Sequence, residues 1–165
     1  MDVDGGVATI TLDSPVNRNA LSTRLVADLA AALDVAEAGA AAGDLRSVVL
    51  THVPPAFCAG ADLKERAAGP PDSRPVVAVF ERLMDLPVPT IAAVKGAARA
   101  GGIGLMASCD LVVVQPDVVF ALTEVRIGVA AAMISVPILR RAHGGHLVAA
   151  FLTGEPFDAE HARQA

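Results

Sequence analysis

Twice along this chain an apolar, strand-like run is broken by glycine and followed at once by a helix start. This recurrence restricts the fold more than any other feature. One passage is Pro54-Pro55-Ala56-Phe57-Cys58-Ala59-Gly60-Ala61-Asp62-Leu63-Lys64-Glu65, just after the apolar run 47–51. The other begins with the buried strand Thr90-Ile91-Ala92-Ala93-Val94, breaks at Gly96 and continues through Ala97-Ala98-Arg99-Ala100-Gly101-Gly102-Ile103-Gly104-Leu105. Strand, glycine turn and helix start together aim free backbone N–H groups at one point. Glycine lets a ligand approach that backbone closely. Two familiar phosphate motifs do not fit. No Lys-Ser or Lys-Thr follows Gly101-Gly102, as a P-loop requires, and the spacing G-x-G-x-x-G is missing. Taken alone, the second stretch favours a glycine turn that only packs a helix against a sheet.

In chain order, the run 7–12 (VATITL) reads as a β-branched strand and 17–21 as a loop. Ser22 caps a helix to about residue 38, with Leu25, Leu29, Leu33 and Ala36 on one face and Gly39 and Gly43 at its end. Asp62 caps or opens a short helix, and the Pro/Gly-rich 67–74 reads as a mobile surface loop. Pro75 opens a helix through 86, and Pro87 and Pro89 stop it. One or two helical turns over 105–109 close at Asp110, followed by a strand over 111–114 and an extended stretch over 118–122. Helices follow over 135–142 and 146–152, with Gly154 as a stop and Asp158 opening a last one. This alternation is α/β, and 165 residues suit one domain with a sizeable core.

Hydrophobic residues make up 53% of the chain, yet no uninterrupted run reaches the ~20 residues of a membrane span. Met1-Asp2-Val3-Asp4 is acidic and does not start a signal peptide. A net charge of −5, with neither Trp nor Tyr, argues against a nucleic-acid surface. Two cysteines make no disulfide scaffold, so a reduced cytoplasmic setting is expected.

Five segments together resemble the crotonase family, the enoyl-CoA hydratases and isomerases: Asn17-Arg18-Asn19-Ala20-Leu21, Phe57 to Lys64, Val94-Lys95-Gly96, Gly101-Gly102 with Cys109-Asp110, and Phe120 to Gly128. The resemblance implies a spiral of ββα units and an acyl-CoA thioester as ligand, with coenzyme A as part of the substrate, no further cofactor and no metal. It places an oxyanion hole at the N–H groups of Ala59 and Gly101. It also implies substrate contacts by Arg18, Ala20, Ala59, Gly60, Ala61, Asp62, Leu63, Lys64, Gly101 and Gly104. Members with the fullest pattern carry a glutamate three residues after the oxyanion glycine and another twenty further on. Here the first position is Gly104, and the second is Glu124. Glu124 alone is expected to activate water, as an enoyl-CoA hydratase-like lyase, or to move a proton between carbons, as an isomerase. A non-catalytic acyl-CoA-binding or assembly protein of the same fold is the third reading. Family members also run well beyond the last helix, so residues 1–165 are expected to form a core domain lacking most of the C-terminal helices. Self-association as a trimer or dimer of trimers is implied.

Other readings stand beside these. Glu124 could pair with Arg126 or cap a turn. Arg18, Lys64 and Arg66 could meet coenzyme A phosphates or be solvated, and Asp62 reads as a helix-start residue. Cys58 reads as packing rather than a nucleophile. Ser108 lacks a nucleophile elbow, and His143 and His146 lack the support of a metal site. Met106 and Met133 suit either core or acyl pocket.

Overall fold

The chain winds as a spiral, and each turn lays one strand in each of two sheets before a helix returns it. The computed structural model describes residues 1–67, 69 and 72–165. Three residues of the 67–74 loop read from the sequence therefore lie outside the described residues. A hairpin of β1 (Asp2–Asp4) and β2 (Val7–Leu12) leads to α1 (Thr23–Ala42). The first turn holds β3 (Ser47–His52), β4 (Ala56–Cys58), α2 (Leu63–Ala67) and α3 (Arg74–Asp85). The second holds β5 (Thr90–Val94), β6 (Ala97–Arg99) and α4 (Gly101–Ala107). The third holds β7 (Leu111–Val114), β8 (Val119–Ala121), a 3₁₀ turn over Thr123–Ile127, and α5 (Ala132–Leu139). After a second 3₁₀ turn come α6 (Val148–Thr153), β9 (Phe157–Asp158) and α7 (Ala159–Gln164).

Strand order shows the spiral directly. One sheet runs β1-β2-β3-β5-β7 and the other β4-β6-β8-β9. Within each, the strands of successive turns are neighbours and parallel; only β1 and β9 run antiparallel to theirs. Alternate residues of the first sheet, among them Ile10, Leu12, Val48, Leu50, Ala92 and Val94, are buried. The apolar face of α1, at Leu25, Leu29, Leu33 and Ala36, joins them in one core with Val79, Phe80 and Leu83 of α3. Phe57 and Phe120 are fully enclosed, and burial of such a side chain is worth ~1.5–3 kcal/mol.

Local chemistry accounts for most boundaries. The Ser22 hydroxyl accepts from Leu25 N–H, and Gly43 ends α1 at φ 79°. Gly39, read as a terminator, lies inside the helix, at a point where a Cβ would stand 2.9 Å from the Leu45 side chain. The Asp62 carboxylate accepts from Lys64 N–H, and that of Asp158 from His161 N–H. Thr90 and Asp110 exchange hydrogen bonds across the β5–β7 turn of the spiral, with Asp110 accepting from the Thr90 N–H and hydroxyl. Three short strands were not anticipated: β1, β6 and β9. The helix α4 also begins at Gly101 instead of after the glycines, and α5 begins three residues before 135.

His52 closes β3 in a buried position. Its Nε2 accepts the Lys95 N–H at 3.0 Å, so Nδ1 carries the proton and donates to the Val53 carbonyl at 3.1 Å. Desolvation, with the Lys95 charge adding to it, holds this imidazole below its ordinary value of 6.5. In the unfolded chain the ring takes up its proton first as pH falls. Its contribution to stability is therefore present above about 6.5 and lost as pH drops toward the lowered folded value. Thermal melts at pH 7.5 and pH 5 are expected to show a lower Tm at the acid end. His52→Gln should narrow that difference.

Candidate active site

Parallel strands bring like ends together. In the second sheet Cys58 pairs with Ala98, and Ala98 with Phe120. Counting three residues onward in each strand gives Ala61, Gly101 and Thr123. The loops that follow β4, β6 and β8 thus open at one sheet edge, where open α/β sheets place their ligands. A cavity of about 990 Å³ lies there, lined by Ala59, Ala61, Ala100, Gly101, Thr123 and Glu124, with an apolar wall from α1, α3 and α5.

The two glycine passages touch. At Gly60 the backbone is left-handed, φ 86°, and a Cβ would lie 2.8 Å from the Ala100 side chain and 3.3 Å from Gly101 N. Only glycine permits this approach. On the facing strand, Ala100 N–H makes the last ladder bond, to the Ala121 carbonyl at 3.0 Å. The chain then turns at Ala100 with φ 48°, a conformation costing ~1–3 kcal/mol in a residue with a side chain. That turn frees the Gly101 N–H from the ladder. Neither it nor the Ala61 N–H has a hydrogen-bond partner among the described residues.

Ala59 is different, and this corrects the donor pair read from the sequence. Its N–H donates to the Arg18 carbonyl at 3.1 Å. The 17–21 loop runs alongside the first glycine passage, and Leu21 N–H donates to the Gly60 carbonyl at 2.7 Å. This side-by-side pairing consumes the Ala59 donor and leaves that of Ala61.

Glu124 is the second residue of the 3₁₀ turn that follows β8. Its side chain is half-buried at the cavity wall, and Oε2 is buried with no partner among the described residues. Burial pushes its carboxyl above the ordinary 4.5, opposed only by a backbone hydrogen bond of its own residue. It does not pair with Arg126, whose guanidinium donates to Glu155 at 2.8 Å.

The remaining expected contacts divide. Leu63 reaches the cavity together with Arg66. Arg18 and Lys64 are exposed and stand off the lining, and Ala20 is buried. Asp62 is occupied by Lys64 N–H and by the Asn17 amide at 3.0 Å. Gly104 is buried and off the lining: a Cβ there would lie 2.8 Å from Ile134 Cγ2 and 3.0 Å from Phe80 Cε2. Ile134 and Phe80 themselves line the cavity. They stand where a side chain at 104 would project, and neither was singled out in the sequence. Met133 lines the cavity and Met106 sits in the core. Cys58 and Cys109 are buried, with thiols pushed up to about 12 mainly by desolvation, which suits packing and not nucleophilic attack.

Gly102 holds the passages together from behind. A Cβ there would lie 2.5 Å from the Cys58 carbonyl oxygen and 2.8 Å from Cys58 Cβ. Gly102→Ala is therefore expected to push α4 off β4. Overpacking of this kind costs ~1–3 kcal/mol, or several degrees of Tm at this size, which a thermal melt reads directly.

Comparison with known proteins agrees with the fold. Residues 2–165 match the family described as enoyl-CoA hydratase/isomerase. A crystal structure of an enoyl-CoA hydratase from Mycobacterium avium is 44% identical, with a TM-score of 0.84, over 97% of this chain and 62% of its own. That of an enoyl-CoA hydratase from Mycobacterium smegmatis is 34% identical, with a TM-score of 0.91, over 98% and 65%. The mitochondrial enoyl-CoA hydratase domain-containing protein 3 of Danio rerio is 35% identical over 97% of this chain and 56% of its own. The chain spans 64–65% of the length of the first curated relatives it matches. No helix among the described residues is long and apolar enough to cross a membrane.

Proposed function

This chain belongs to the enoyl-CoA hydratase/isomerase family, and from that premise we propose that it is the core of an enoyl-CoA hydratase-like lyase with Glu124 as its single acid/base. One observation carries the reading: a half-buried carboxyl with an oxygen unpartnered among the described residues shares a cavity with two N–H groups likewise unpartnered among them, those of Ala61 and Gly101. The thioester carbonyl of an enoyl-CoA accepts from both N–H groups. The Glu124 carboxylate takes a proton from water as its oxygen adds to C3. Negative charge moves to the thioester oxygen, where the two donors stabilise it. The carboxylic acid then returns the proton to C2, so that one water has added across the double bond.

A second reading is favoured by the wall at Gly104. With Ile134 and Phe80 filling the space beside it, no second carboxylate acts there. Glu124 alone suffices to take a proton from C2 of a 3-enoyl-CoA and return it to C4, moving the double bond into conjugation. Absorbance separates the two. Loss of the conjugated band of a short 2-enoyl-CoA indicates hydration, and its growth from a 3-enoyl-CoA indicates isomerisation. Binding with neither change would sink both in favour of a non-catalytic acyl-CoA-binding role.

The apolar lining suits the acyl chain, and Arg66 at the cavity suits a coenzyme A phosphate. The exposed Val136, Leu139, Val148 and Leu152 on α5 and α6 support assembly into a trimer or dimer of trimers. A monomer in light scattering would contradict that assembly. The two buried free thiols suit a reduced, cytoplasmic setting.

A further inference from the structure

His52 lies at the far end of β4 and β6 from the cavity and is only 4% exposed. Its ring joins two turns: Nδ1 donates to Val53, in the turn into β4, and Nε2 accepts from Lys95, in the turn into β6. Asn19 braces the first turn, donating to the Val53 and Ala56 carbonyls at 3.0 and 2.7 Å. The ring edge meets Phe57, the middle residue of β4, at 5.5 Å and 82°. The clasp is tight. A Cβ on Gly96 would lie 2.8 Å from the Pro55 carbonyl oxygen and 3.2 Å from His52 Cε1.

The ladder between β4 and β6 is weak by comparison. It has two register pairs, Ala56 with Ala97 and Cys58 with Ala98, and the register shifts between them. So short and irregular a ladder does not by itself specify how the strands are staggered. Yet three residues further on stand Ala61 and Gly101. We propose that His52 is a positioning residue that sets the stagger of β4 against β6, and through it the spacing of the Ala61 and Gly101 N–H groups. The proposal rests on the reading that these two groups hold a thioester oxygen, whereas the clasp itself is independent of it.

The test compares wild type with His52→Phe and His52→Gln. Phenylalanine keeps the ring's bulk and loses both hydrogen bonds, whereas glutamine can accept from Lys95 and donate to Val53. On a short 2-enoyl-CoA, His52→Phe is expected to lower kcat by ~10–100-fold, with KM and saturated acyl-CoA binding within about threefold. His52→Gln should recover most of the loss. Amide hydrogen exchange, read without substrate, should quicken at Ala61 and Gly101 in His52→Phe and not in His52→Gln. Wild type that binds no acyl-CoA overturns the proposed function, and the exchange rates then decide on His52 by themselves. Should His52→Phe not fold, the wild type gives the same answer. In a ¹H–¹⁵N titration the Ala61 and Gly101 signals should move with protonation of the His52 ring, whose facing charge among the described residues is the Lys95 ammonium. Unchanged kcat and exchange in His52→Phe, a loss that His52→Gln shares, or amide signals that stay still while the ring titrates would each overturn the proposal.

Discussion

Glu124→Gln is expected to lower turnover of an enoyl-CoA by ~10²–10⁴-fold, while the Kd for a saturated acyl-CoA stays nearly unchanged. Glutamine preserves the shape of the side chain at the cavity wall and removes its capacity to take a proton. The apolar wall and the two N–H groups remain, so binding survives. The pH dependence follows from the raised carboxyl. Activity that needs the carboxylate should fall on the acid side, with a midpoint above the ordinary 4.5. Stability runs the other way. A carboxyl whose folded value is raised contributes stability that is fully present below 4.5 and lost as pH rises through the folded value. At pH 7.5 the folded protein therefore bears the cost of a desolvated charge whose Oε2 has no partner among the described residues. Glu124→Gln should have the higher Tm at pH 7.5, and its advantage should shrink toward pH 4. An inactive variant that gains no stability would leave Glu124 as a base in an ordinary, solvated setting. Unchanged turnover would remove it from the chemistry.

The parts of this molecule legible in the sequence are those whose cause is local. β2, β3 and β5 are β-branched runs, α1 carries its cap and its apolar face, and Gly43, Gly154 and Asp158 mark helix ends by their own chemistry. Gly101 and Glu124 could be found because the passages that hold them have a recognisable order and spacing. What could not be read depends on contacts between distant segments. The strand β6 is Ala97-Ala98-Arg99, with no period and low β-propensity; it is extended because β4 and β8 pair with it on either side. Gly104 looks open in sequence, but Ile134, thirty residues on, and Phe80, from the turn before, close over it. The same cause underlies the donor at Ala59. No pattern within 57–64 shows that a carbonyl from the 17–21 loop will lie against it.

That last difference yields the sharpest test, because the competing donors, Ala59 and Ala61, are two residues apart and both alanine. Replacing either by lactic acid changes its peptide to an ester and deletes one N–H, leaving the side chain as it was. At Ala61 the deleted group has no partner among the described residues. Its loss should leave folding stability nearly unaltered. If that N–H faces the thioester oxygen, kcat should fall by ~10²–10³-fold, the usual consequence of removing one oxyanion donor. At Ala59 the deleted group is bonded to the Arg18 carbonyl. There the expected loss is ~0.5–1.5 kcal/mol of stability, seen as a lower denaturant midpoint, with most of the turnover retained. The two substitutions should thus split cleanly, one in kcat and one in stability. Register and packing both favour that expectation. Ala61 and Gly101 stand three residues beyond the paired Cys58 and Ala98, and Gly60 lies directly against Gly101. A fall in kcat from the ester at 59, with none from the ester at 61, would return the oxyanion site to Ala59. It would also mean that the 17–21 loop gives up its bond to Ala59 when substrate binds.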